Sequence, residues 1–114
     1  MELILYRYFA SVSRVIDGDT AELIIDEGFK HSWKVSCRFA GINAPELTSA
    51  DLTEKAKAVE ARDYLASRLP VGKQVYIISE KLDKYGRPIT TVFDLDGTNI
   101  NDEMLQKGYA KKYT

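Results

Sequence analysis

Apolar and polar residues alternate near the start of the chain. In the stretch SVSRVIDGDTAELIID, Val12, Arg14 and Ile16 alternate with Ser11, Ser13 and Val15, and Ala21, Leu23 and Ile25 then alternate with Glu22, Ile24 and Asp26. A period of two belongs to strands with one buried face. Gly18 interrupts the extended pattern, which predicts a bulge or tight bend between two strands. Asp26, Glu27 and Gly28 supply turn chemistry. A third strand follows, with Trp33, Val35, Cys37 and Phe39 on one face and Lys34, Ser36 and Arg38 on the other.

From about Asp51 to Leu69 the period lengthens. Ala58, Ala61, Leu65 and Leu69 fall three and four apart, which predicts a helix. Asp51 with Glu54, or Thr53 alone, can cap its start, and Pro70 and Gly72 end it. Lys73–Glu80 and Arg87–Leu95 read as the fourth and fifth strands, joined by the hairpin LDKYG. A short helix closes the chain, with Asn99 or Asn101 as N-cap and Gly108 beyond its end. Five short strands with a helix between the third and fourth match a Greek-key barrel of the OB type, an α+β barrel with helices. Barrels of this type often bind oligonucleotides, though fold alone does not give function.

Length and composition narrow the class. One domain spanning 1–114 is expected from 114 residues, with 45% hydrophobic and 29% charged. No apolar run approaches the roughly 18 residues of a membrane span, so no membrane partner is expected. The opening MELILYRYFA, with Glu2 and Arg7, does not read as a signal peptide. The single cysteine, Cys37, allows no internal disulfide. A cytoplasmic location is therefore expected, with a trimmed secreted form as the alternative. Net charge is −1, so overall charge does not argue for nucleic acid. Its distribution is uneven: Asp17, Asp19, Glu22, Asp26 and Glu27 cluster, while Lys81, Lys84 and Arg87, then Lys107, Lys111 and Lys112, form basic groups. A cation and a polyanion would suit such a surface; on composition alone, an unevenly charged solvated surface is the simpler reading.

Several chemistries are excluded. His31 is the only histidine, there is no Cys/His metal cluster, no phosphate-cradling glycine loop and no Gly-x-Ser-x-Gly elbow. Carboxylates and arginines remain. Asp17 and Asp19 flank Gly18, whose freedom would let a carboxylate leave the sheet; a decorated bulge is the plainer reading. Arg38 lies on the polar face of the third strand, and Glu46 follows after the turn GINAPE, where Pro45 fixes the backbone. Arg87 ends the turn DKYG, beside Lys84 and Tyr85, which suit a phosphate and a stacked base.

Taken together, VIDGDT (Val15–Thr20), Arg38 with GINAPE, DKYGR (Asp83–Arg87) and NDEMLQKGYAK (Asn101–Lys111) resemble the motifs of the staphylococcal nuclease (thermonuclease, micrococcal nuclease) family, in family order and along nearly the whole chain. The resemblance implies an OB barrel with packed helices and Ca²⁺-dependent hydrolysis of DNA and RNA at the P–O5′ bond, leaving 3′-phosphates. It implies that Asp19 is a calcium ligand, that Asn43 stands where the family has an aspartate ligand, and that Ala44 offers its backbone carbonyl. By the same resemblance, Glu46 serves the attacking water as general base or orienter, and Arg38 and Arg87 hold the scissile phosphate. Lys84 and Tyr85 contact a neighbouring nucleotide phosphate, and Tyr113 stands in for the family's stacking tyrosines.

Two departures refine the expectation. Asn43 keeps an oxygen donor but removes a charge, which predicts weaker calcium binding or reliance on Asp17. The sequence ends at Thr114, soon after the short helix, where the best-known members carry a further helix. A monomer is expected, with a dimer as the alternative. Against the nuclease stands an OB module that binds nucleic acid or protein without catalysis; such modules typically lose the arginines and the glutamate, which this chain retains. A structural domain without ligand would make the four motifs coincidental.

Overall fold

The computed structural model describes residues 5–113. The leader reading rests partly on Met1–Ile4, which, with Thr114, lie outside the described residues. Seven strands and two helices follow in chain order: β1 Arg7–Asp17, β2 Thr20–Gly28, β3 His31–Phe39, β4 Ile42–Asn43, α1 Leu52–Arg68, β5 Gln74–Ile78, β6 Ile89–Phe93, α2 Ile100–Gln106 and β7 Lys111–Lys112. Five of the strands close into a barrel in the order β1-β2-β3-β6-β5. Its pairs are antiparallel except β3 with β6, which run parallel. This is the five-stranded barrel with a helix between its third and fourth strands that the periodicity predicts. Among the described residues no helix is long and apolar enough to cross a membrane.

Alternation carries the core. Leu23, Phe39, Ile77 and Val92 point inward and are fully buried, and Leu65 of α1 with Ile100 and Met104 of α2 complete the packing. Two places depart from simple alternation. Register shifts between Val12 and Arg14, and between Val15 and Asp17, break β1 into three short runs. Arg14 is exposed and Ile16 half-buried, so neither continues the buried face of Val12. Trp33, grouped by pattern with Cys37 and Phe39, remains 41% exposed at the far end of β3.

Gly18 falls in a tight bend between two strands, as the pattern predicts, but not for the sake of backbone freedom. Asp17 pairs with Thr20, so Gly18 and Asp19 form a two-residue turn, and Gly18 does not have a positive φ. Its requirement is space: a Cβ there would stand 2.7 Å from the Ala61 Cβ and 2.9 Å from the Ala44 Cβ. The missing side chain lets α1 and the β4 loop both press on the β1–β2 turn.

Helix α1 starts where Asp51 accepts hydrogen bonds from the Thr53 and Glu54 amides, at 2.9 and 3.4 Å. It buries Ala58, Ala61 and Leu65. For α2 the N-cap is Asn99, which accepts from the Asp102 amide. The amides of Gly108 and Tyr109 return to the carbonyls of Leu105 and Met104, a Schellman ending. Asn101, the other candidate cap, is instead buried. Its Oδ1 accepts from the Val92 amide and its Nδ2 donates to the Ala40 and Thr90 carbonyls. It thus satisfies backbone groups along β6.

The last described residues return to the β3–α1 connection. β7 pairs antiparallel with β4, Lys111 opposite Asn43 and Lys112 opposite Ile42, and the Tyr113 amide donates to the Gly41 carbonyl. A second tie joins Arg68 of α1 to Glu103 of α2 at 2.7 Å, with Tyr64 also donating to Glu103 at 2.6 Å.

Candidate active site

Asp19, Arg38, Asn43 and Ala44 gather where the β1–β2 turn, the end of β3 and the β4 loop meet, while Lys84, Tyr85 and Arg87 form a separate group on the β5–β6 connection. Asp19 sits at the turn's second corner and is buried. Its Oδ1 accepts from the Thr20 hydroxyl at 2.9 Å and its Oδ2 from the Ala44 amide at 2.8 Å. Its backbone carbonyl accepts from the Phe39 amide, which fastens the turn to the end of β3.

Arg38 threads between these segments. Its Nη1 lies 3.3 Å from the Asp19 carboxylate and donates to the Asp19 and Phe39 carbonyls, while its Nη2 donates to Asn43 Oδ1 at 3.2 Å. The guanidinium stands 6.0 Å from the Tyr113 ring centre. Asp19, Arg38, Asn43 and Ala44 therefore form one connected cluster, bordered by Tyr113.

Arg87 stands on the β5–β6 connection, next in sequence to a backbone contact with Arg38. The Arg38 amide donates to the carbonyl of Pro88, and Arg38 pairs with Ile89, so Arg87 lies just before the strand that runs beside Arg38. Its Nε donates to Asp83 Oδ2 at 2.8 Å. Asp83 Oδ1 accepts the Tyr85 and Arg87 amides, and Gly86, at φ +81, lets the turn close. Burial works against the Asp83 carboxylate, but these hydrogen bonds and the Arg87 charge outweigh it, so its pKa falls below the usual value. Tyr85 is exposed, with Lys84 Nζ at 5.2 Å and the Arg87 guanidinium at 5.6 Å from its ring centre.

Glu46 is exposed beyond Pro45. Its charge reaches Asp17, whose pKa is raised first by burial, then by Asp19 and Glu46, against the opposing pull of Arg62 and Arg38. Three carboxylates thus share one electrostatic neighbourhood. Among the described residues, however, no three Asp, Glu, His or Cys side chains converge closely enough to hold a metal alone. The donor types of Asp19 and Asn43, a carboxylate and an amide oxygen, still suit a hard cation, and Ala44 meets Asp19 through its N–H. Asp19 and Asn43 already aim oxygens at one positive group, the Arg38 guanidinium.

Sequence reasoning did not assign a role to Asp83. Its place four residues before Arg87, across a glycine turn, was the available signal. It also missed the Lys111–Asn43 pairing, since two-residue strands have no periodicity to read.

A family model described as Staphylococcal nuclease homologue matches residues 36–114. The chain is 34% identical over 113 residues to Endonuclease YhcR of Bacillus subtilis, covering 93% of this chain and 9% of that protein. It is 31% identical over 108 residues to a protein of Escherichia coli O157:H7 called an uncharacterized endonuclease, covering 90% of this chain and 59% of that one. Against Probable endonuclease LCL3 of Schizophyllum commune the identity is 32% over 90 residues, covering 69% of this chain and 30% of the relative. The chain spans less than two thirds of the length of these relatives.

Proposed function

The chain belongs to the staphylococcal nuclease family, and from that membership and the cluster around Arg38 we propose that it hydrolyses phosphodiester bonds of DNA or RNA with the help of calcium, leaving 3′-phosphates. The observation that carries the reading is the placement of Arg38. Its guanidinium is held by a carboxylate, an amide and two backbone carbonyls, while Arg87, in the turn before the neighbouring strand, is fixed by Asp83.

In this reading Asp19, Asn43 and the Ala44 carbonyl would hold a calcium ion, which when bound offsets phosphate charge and polarises the ester. Arg38 and Arg87 donate hydrogen bonds to the non-bridging phosphate oxygens and stabilise the charge of the five-coordinate transition state. Glu46 takes a proton from a water that attacks phosphorus in line. As the new P–O bond forms, the P–O5′ bond breaks. The departing O5′ gains a proton from solvent, and the phosphate stays on the 3′ side. Lys84 and Tyr85 steady an adjacent nucleotide, and Tyr113 offers a face beside Arg38. The reading takes residues 1–114 as a single catalytic domain acting as a monomer.

A second reading has a specific observation in its favour. Asp19 and Asn43 are both engaged by Arg38, and Asn43 contributes no charge, which would suit a catalytically silent barrel that binds nucleic acid or protein. Incubation with single-stranded DNA and millimolar calcium, with and without chelator and beside Glu46→Gln, separates the two. Chelator-sensitive cleavage that Glu46→Gln abolishes is expected. Binding without cleavage would favour the silent module.

A further inference from the structure

A groove of about 700 Å³ opens from the Asn43–Ala44–Pro45 loop and runs between the first turns of α1 and the segment joining α2 to β7. Lys57 lines one wall, and Lys107 and Lys111 the other. All three are exposed, and among the described residues none forms an ion pair. The cations nearest the catalytic cluster differ in this respect, since Arg38 is held by Asp19 and Arg87 by Asp83.

Lys111 gives the groove its direction. It is the ladder partner of Asn43, and such partners carry their Cβ atoms about 4.5–5.5 Å apart on one face. A cation therefore stands beside the loop in which Asn43 has removed a negative charge. Asp51, Glu54 and Glu60 also border the groove. All three stand on the α1 wall beside Lys57: the helix dipole offsets the charge of Asp51, while Glu54, which accepts from the Ser49 hydroxyl, and Glu60 keep theirs. The opposite wall, from Lys107 to Lys111, brings no carboxylate to the groove.

We propose that this groove is the track of an extended polynucleotide strand beyond the scissile phosphate, with Lys57, Lys107 and Lys111 each meeting a backbone phosphate. The inference rests on the nuclease reading and deepens it: the preferred substrate is a strand of several nucleotides rather than a dinucleotide. Lysine ammonium groups act as point charges on phosphates, so the track adds affinity without reading sequence. Each neutralised phosphate releases counterions and adds about 0.7 to the salt slope of single-strand binding.

The test combines binding and cleavage. Affinity for a labelled oligothymidylate of about twelve nucleotides, a length within the range one OB barrel covers, is measured by anisotropy against salt in the presence of chelator. Replacing Lys57, Lys107 and Lys111 together by Gln is expected to lower the slope of log K against log salt by about 2. It is also expected to cut the preference in kcat/KM for the oligonucleotide over a thymidine dinucleotide by about tenfold. The triple Arg variant, which keeps the charges, should retain both, and circular dichroism checks that each variant folds. An unchanged salt slope in a folded Gln variant overturns the track, even if the wild type cleaves. A slope that falls as expected in a protein that cuts nothing supports the track and overturns the hydrolytic reading instead. Absence of both binding and cleavage overturns the two together.

Discussion

Asn43 Oδ1 accepts a hydrogen bond from Arg38 Nη2 at 3.2 Å. The amide in the proposed metal loop thus also holds the arginine proposed to hold the phosphate. Asn43→Asp turns the contact with Arg38 into an ion pair and adds a full negative charge to the proposed ligand set, on which calcium affinity depends. The calcium concentration needed for half-maximal cleavage is expected to fall, as read from a calcium titration of the initial rate. An unchanged or higher requirement would remove Asn43 from the ligand set.

Arg38→Lys keeps the charge and loses the fork. A lysine cannot bridge the Asp19 carboxylate and Asn43 while presenting further donors to a phosphate. Removing one donor from a charge-stabilising site typically costs about 10²–10³ in kcat. That loss is expected here, with KM changed much less, by steady-state kinetics on a single-stranded oligonucleotide.

Gly18→Ala tests the contact beneath the β1–β2 turn. The added methyl would stand 2.7 and 2.9 Å from the Ala61 and Ala44 Cβ atoms, and none of those carbons is the end of a flexible side chain. Overpacking of this kind costs about 1–3 kcal/mol. Urea denaturation should show the loss as a lower midpoint. Because Ala44 belongs to the proposed metal loop, the calcium requirement should rise in the same variant; if stability falls while the requirement holds, the turn does not set that loop.

The Arg68–Glu103 tie predicts a pH dependence. Burial would raise the Glu103 pKa, but hydrogen bonds from Arg68 and Tyr64 and the Arg68 charge reverse that and leave it below the usual 4.5. A carboxylate depressed in the folded state stabilises above its unfolded pKa, and that stability is lost as pH falls through the folded value. Glu103→Gln should therefore destabilise at neutral pH by about 1–3 kcal/mol. The difference from wild type should shrink as the buffer is acidified below 4.5. Thermal melts at a series of pH values measure it, and a gap constant with pH would show that the ionised carboxylate is not what binds the helices.

Much of the barrel could be read in advance because its strands are long enough to show a period and its helix is capped by a visible Asp51. Where the reading stopped, the cause was physical. The bulges in β1 fall at Ser13 and Ile16, where the register with β2 slips, and alternation along one strand does not show its partner's register. Gly18 marks a bend by glycine's permissiveness, yet its necessity comes from Ala61 and Ala44, distant along the chain and invisible to local pattern. Of the site, the motifs carry Asp19, Arg38, Asn43 and Ala44, which hydrogen bonds and an ion pair connect, whereas Asp83 emerges only from its hydrogen bonds to Arg87. Asn101, offered as a cap, serves β6 because an amide alone can both donate and accept along an incompletely paired strand.

The β4–β7 ladder also bears on the order of events during synthesis. Asp19, Arg38 and Glu46 leave the ribosome early, but the strand that fastens their loop begins at Lys111. Domains assemble as the chain emerges, at about 5–20 residues per second. A growing chain therefore displays these side chains for seconds before the Lys111–Tyr113 segment can clasp Gly41 to Asn43. The loop that gathers Asn43 and Ala44 against Asp19 is thus fastened last of the described strands.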